Sequence, residues 1–176
     1  MFTILHLLGV AIGAGSAYMS DVLFLWSTRD GKISTNESQF MYLAGRMVWA
    51  GLFLLVVSGI GLVMESPEYF LSSSKFLAKM TIVAVLTING IVFHLYRMPY
   101  LKEHTGERLT SAAFSKRGPL LLVSGAISFI SWTSALILGA LRGLPYSYGQ
   151  IVSVYVGIVL VTVCVALFSK RLILAR

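Results

Sequence analysis

His6, Asp21, Arg46, Lys79, Asn89 and His94 all lie inside stretches apolar enough to cross a lipid bilayer. Hydrocarbon receives such groups only where protein or trapped water meets them, so each marks either a buried pair or a site. Asp21, Arg46 and His94 together offer proton chemistry. They supply a carboxyl group, a guanidinium that stays charged, and an imidazole whose ordinary pKa lies near neutrality. His6 and Lys79 offer ligand chemistry instead: a ring nitrogen for a metal, and an ammonium for a carboxylate.

The elements that must position these groups follow from hydropathy. Of 176 residues, 57% are hydrophobic and only 12% are charged, about half the charge that a water-exposed surface needs. The apolar residues form blocks at about 2–26, 39–64, 75–98, 118–141 and 148–168, which reads as an all-α bundle of five transmembrane spans in one domain. In the third block, Lys79, Leu86, Gly90 and Arg97 fall on one line at ~100° per residue, with Asn89 and His94 at its edges. That stripe is expected to face the bundle centre. Gly9, Gly13, Ser16, Ala17 and Ser20 share the face of His6 and Asp21 in the first block, and Ser124, Ser128, Ser131, Ala135 and Gly139 form a second small-residue seam. Small residues let helices approach closely in lipid. The fifth block, rich in Val, is expected to be an outer wall. Asn36-Glu37-Ser38 is expected to start the second helix, Ser72-Ser73-Ser74 to cap the third, and Pro99 to stop it.

The net charge of +7 resides mostly in short loops. With the N-terminus outside, the outer loops and ends carry Lys75, Lys79 and Arg142. The other side carries Arg29, Lys32, Arg97, Lys102, Arg108, Lys116, Arg117, Lys170, Arg171 and Arg176. This asymmetry predicts an N-out, C-in topology in a bacterial inner membrane and removes the reason to expect nucleic-acid binding. Cys164 is alone, so no intramolecular disulfide is expected. No carboxylate cluster suited to a divalent metal is evident.

Depth sorts the polar groups into two layers. Asp21 and Arg46 each lie about five to seven residues from the cytoplasmic end, ~8–10 Å by helical rise, and are expected to pair, either as a structural ion pair or as a proton relay with His94. His6 and Lys79 lie near the outer face, with Met64, Glu65 and Met80 at the same level. His6 and His94 are separated by ~20 Å in depth, so they do not share one haem iron. Each would need another ligand: Met64 or Lys79 for His6, and Met19, Met47 or Met98 for His94.

Three segments carry a resemblance. LHLLGVAIGAGSAYMSDVLFLW, GRMVWAGLFLLVVSGIGL and FLAKM place a His near the start of helix one, an Arg early in helix two and a Lys entering helix three. In this the chain resembles the HemJ-type protoporphyrinogen oxidases and the copper-resistance CopD-like proteins over about half its length. The HemJ type has a His two residues before that Lys, where this chain has Leu77. SSKFLAKMTIVAVLTINGIVFH and SGAISFISWTSALILGALRG are similar to uncharacterised five-span bacterial proteins.

The expected function is a small bacterial membrane protein binding haem, porphyrin or quinone within the bundle, with a redox role. Haem b is among the candidate cofactors. His6 and Lys79 would engage the ligand, and Asp21, Arg46 and His94 would move protons. The competing class is a non-enzymatic transporter or assembly partner whose polar groups are structural. The expected partners are the lipid bilayer and a small hydrophobic ligand, with homo-oligomerisation left open.

Overall fold

The computed structural model describes residues 1–27, 31–107, 111–141 and 143–173, with the side chains of 112–117 and 169–173 left aside. No strand occurs among the described residues. The helices are α1 (Phe2–Ser27), α2 (Thr35–Glu65), α3 (Pro67–Leu71), α4 (Ser74–Val92), a π-helical turn (Phe93–Arg97), α5 (Met98–Glu103), α6 (Ala112–Ala140) and α7 (Tyr148–Ile173). Among the described residues, five stretches are long and apolar enough to cross a membrane: Phe2–Ser27, Thr35–Glu65, Ser74–Glu103, Gly118–Ala140 and Tyr148–Phe168. A helix is the element that satisfies its own backbone in lipid, which is why unbroken apolar sequence becomes helix here.

Glycine draws α1 and α2 together. A Cβ added to Gly51 would run into the backbone N and Cα of Gly13, so the two helices meet backbone to backbone. On its other side Gly13 receives Trp132 of α6, whose Cη2 would lie 2.6 Å from an added Cβ. Three helices therefore converge at one glycine. Ala14, Ala17, Leu52, Leu86 and Trp132 form the apolar cluster around that point.

Helix α4 buries Ala78, Ile82 and Leu86. Ile82 joins Ala135 and Leu138 of α6 and Tyr155 of α7 in a second cluster. The Tyr155 hydroxyl meets Ser131 Oγ at 2.8 Å, while most other α7 side chains are exposed. It is the outer wall that the sequence suggested. Lys79 and Arg97 of the expected stripe are half-buried and Leu86 fully so, whereas His94 at its edge is exposed.

Two helix boundaries differ from expectation. Helix α2 begins at Thr35, because Ser34 and Glu37 close a capping box: Glu37 N–H donates to Ser34 Oγ at 3.3 Å, and Ser34 N–H donates to Glu37 Oε2 at 2.8 Å. Asn36 is already inside the helix. Pro99 does not end the third span. The Met98 amide donates to Phe93 O, a five-residue step that widens the turn, and Pro99 then falls in the first turn of α5, where its missing N–H costs little. Ser73 caps α4 as expected, accepting from Phe76 N–H at 3.4 Å.

Candidate functional site

Between the helices lie a larger cavity at the end where α1 begins and a smaller one towards the end where α1 finishes. The first, of about 560 Å³, lies among α1, α2, α4 and α6, with Tyr69 and Phe70 of α3 at its edge. His6, Lys75 and Lys79 line it, with Met64 and Met80 beside them, and the remaining surface is mainly aliphatic. No acidic side chain is among the lining residues. This volume falls within the ordinary range for small-molecule pockets, ~300–1,000 Å³.

Ser58 of α2 fixes the state of His6. Its hydroxyl has one proton and sits 2.6 Å from Leu54 O, its natural acceptor one turn back in the helix. His6 Nδ1, 2.9 Å from the same oxygen, is therefore the donor in that contact. The imidazole is then the Nδ1–H tautomer, and Nε2 keeps its lone pair for a metal or a proton. Lys79 comes from one turn into α4, where the Ser73 cap sets the start of the helix. Its Nζ passes over Gly139 of α6, 3.6 Å from where a Cβ would stand, so the absent side chain gives the ammonium its room. Lys75 donates to Leu141 O at 2.8 Å. Nothing on α1 or α4 pairs either lysine with a carboxylate among the described residues.

The second cavity, about 80 Å³, is lined by Asp21, Asn89, His94, Ser124, Ser128 and Trp132 among others. Asn89 Nδ2 donates to Ser124 O at 3.0 Å, and Ser124 Oγ donates to Asn89 Oδ1 at 2.8 Å, a reciprocal clasp of α4 to α6. Asp21 Oδ2 and Trp132 Nε1 are buried with no hydrogen-bond partner. Asp21 Oδ1 lies over Gly125, 3.3 Å from an added Cβ. His94 sits in the π-helical turn with its ring edge-on to Trp49, centroids 6.4 Å apart. Leu52, Leu86 and Trp132 line both cavities and separate them.

The structure thus brings His6 and Lys79 to one cavity, and Asp21 and His94 to the other. It does not bring Arg46 to Asp21. Arg46 is exposed on α2 and lines neither cavity, so the expected ion pair is not formed. The reason is azimuth. Ala44, Gly51 and Ser58, each about two turns from the next, mark the buried seam of α2, and Arg46 stands two residues, ~200°, beyond Ala44. Of the methionines named for the two imidazoles, Met64 lines the His6 cavity and Met98 the His94 cavity. Met19 and Met47 are exposed. Glu65 does not line the His6 cavity.

Two participants were not singled out from sequence. Ser58 is a lone serine in an aliphatic run, and its spacing from Gly51 was the available sign. Trp132 has no distinguishing sign in the sequence, because its role depends on Gly13 opposite it. Among the described residues no three His, Cys, Asp or Glu side chains gather as a metal site would need. Comparison with protein-family models, with curated proteins and with solved structures finds no match to this chain.

Proposed function

We propose that the chain is a small bacterial inner-membrane protein that holds a haem, porphyrin or quinone in the larger cavity, with a redox role. The observation that carries the reading is the joint placement of His6 and Lys79 on the wall of one apolar cavity of about 560 Å³. An aliphatic wall accepts the body of such a ligand. Two ammonium groups and no lining carboxylate favour an anionic or carbonyl-bearing edge. The donor set fits a haem, since Nε2 of His6 carries the free lone pair and Met64 lines the same cavity. When bound, haem or quinone would supply electron transfer. The chain's own groups hold and orient it: Ser58 fixes the His6 ring, and Lys79 faces the ligand's polar edge.

Purified protein from haem-replete bacterial cells tests this. A Soret band, or a quinone recovered by solvent extraction, is the expected result, and it should be lost or strongly reduced in His6→Ala and Lys79→Ala. Colourless protein without extractable quinone sinks the reading and leaves the non-enzymatic transporter or assembly partner.

A further inference from the structure

Two residues that line the smaller cavity each bear a buried polar atom, of opposite kind, with no hydrogen-bond partner among the described residues. Asp21 Oδ2 is an acceptor and Trp132 Nε1 is a donor, and both residues line the same space. A buried indole N–H or carboxylate oxygen ordinarily has a partner, and the commonest partner outside the protein is water. A volume of about 80 Å³ exceeds several-fold the roughly 10–15 Å³ that one buried water requires. Ser128 and the Asn89–Ser124 clasp add further polar surface, which a water needs to remain there. Asp21 and His94 are the titratable groups among the lining residues, from any helix; the other lining residues carry no charge. His94 is exposed, which places it where the cavity meets the outside of the bundle.

We propose that this cavity is a hydrated proton port. An excess proton arriving past His94 as hydronium passes through water held between Trp132 Nε1–H and Asp21 Oδ2 to the carboxylate, leaving a neutral carboxyl and neutral water. Release reverses the transfer, with the proton returning to water and leaving past His94. Arg46 takes no part, because it faces away. Trp132 also belongs to the wall between the two cavities, beside Leu52 and Leu86, so the port ends at the partition of the larger cavity. The inference does not rest on what the larger cavity holds.

Infrared difference spectroscopy on the full chain in lipid nanodiscs, taken between alkaline and acid pH, reads this directly. The expected result is a carboxyl C=O band that rises with acid, moves in D₂O, and is lost in Asp21→Asn. Trp132→Phe should keep the band and shift its frequency, because the shared water loses a hydrogen bond. His94→Ala should slow its appearance after a pH jump several-fold without changing its final height. The same band in wild type and Asp21→Asn would overturn the proposal. So would a band indifferent to Trp132→Phe, or one governed by sodium concentration rather than pH, which would mark a cation site. If Asp21→Asn does not fold, Asp21→Glu must show the band at a shifted frequency, and its absence is equally fatal.

Discussion

Ser58 and Arg46 show how single residues decide what neighbouring groups can do. Ser58 spends its one proton on Leu54 O, and that choice leaves His6 with its lone pair on Nε2. Ser58→Ala removes the acceptor and leaves Nδ1–H unpaired. Nitrogen NMR of selectively labelled protein is expected to show His6 moving from the Nδ1–H tautomer towards a mixture. Thermal unfolding in detergent should report a loss of about 1 kcal/mol, the scale of one intramembrane hydrogen bond. Arg46 illustrates the reverse case, a charge that meets none of its expected partners. Arg46→Met and Asp21→Asn should therefore be additive to within about 0.5 kcal/mol in a double-mutant cycle. A coupling of ~3 kcal/mol, the usual scale for a broken buried pair, would show that the two do meet.

At the scale of elements, glycine and the π-helical turn set how the helices meet. An alanine at Gly51 has no room against the backbone of Gly13, so Gly51→Ala is expected to cost about 1–3 kcal/mol by overpacking. Gly15 is exposed with nothing near its Cβ position, and Gly15→Ala should be neutral or stabilising by up to ~1 kcal/mol. Equal effects in detergent unfolding would refute the close α1–α2 approach. The wide turn at Phe93–Arg97 has a comparable role in the third span. At 100° per residue Met98 would point ~120° away from Leu86, and one extra residue in the turn brings it back to within ~20°. That is why Leu86 and Met98 are both buried, although the third span is continuous from Ser74 to Glu103. Deleting the exposed Tyr96 should close the turn to regular α-helix and cost less than ~1 kcal/mol. Deleting the exposed Ala84 should rotate the later residues out of place and cost on the order of 3 kcal/mol, through lost burial of groups such as Met98 and Leu101.

At the scale of the whole molecule, the larger and the smaller cavity lie one beyond the other between the same helices, with Leu52, Leu86 and Trp132 as the partition. Their biological sense depends on orientation, which the loop charges address. Lysine and arginine favour the side of Lys102 and Arg176 over that of Lys75 and Arg142, so C-terminal reporter fusions are expected to be active in the cytoplasm. A reporter after Leu144 should be active on the opposite side. A C-terminus found outside would turn the bundle over and place the Asp21 cavity at the external face.

Sequence alone determined the number and approximate reach of the spans, the inward character of the Gly9–Gly13–Ala17 face, and the peripheral place of α7. These follow from hydropathy and side-chain size, which are local properties read one residue at a time. It also placed His6 with Lys79, because both depth and face agreed. Tertiary structure decided the rest. Helical rise gives a residue's depth, but its direction depends on where neighbouring backbones make contact, and that is fixed by Gly13, Gly51 and Trp132 together. Asp21 and Arg46 share a depth and still do not meet, because the Ala44–Gly51–Ser58 seam turns Arg46 outward. Pro99 looked like a stop, but its cost depends on the hydrogen bonds before it, and the wide turn had already removed the conflict.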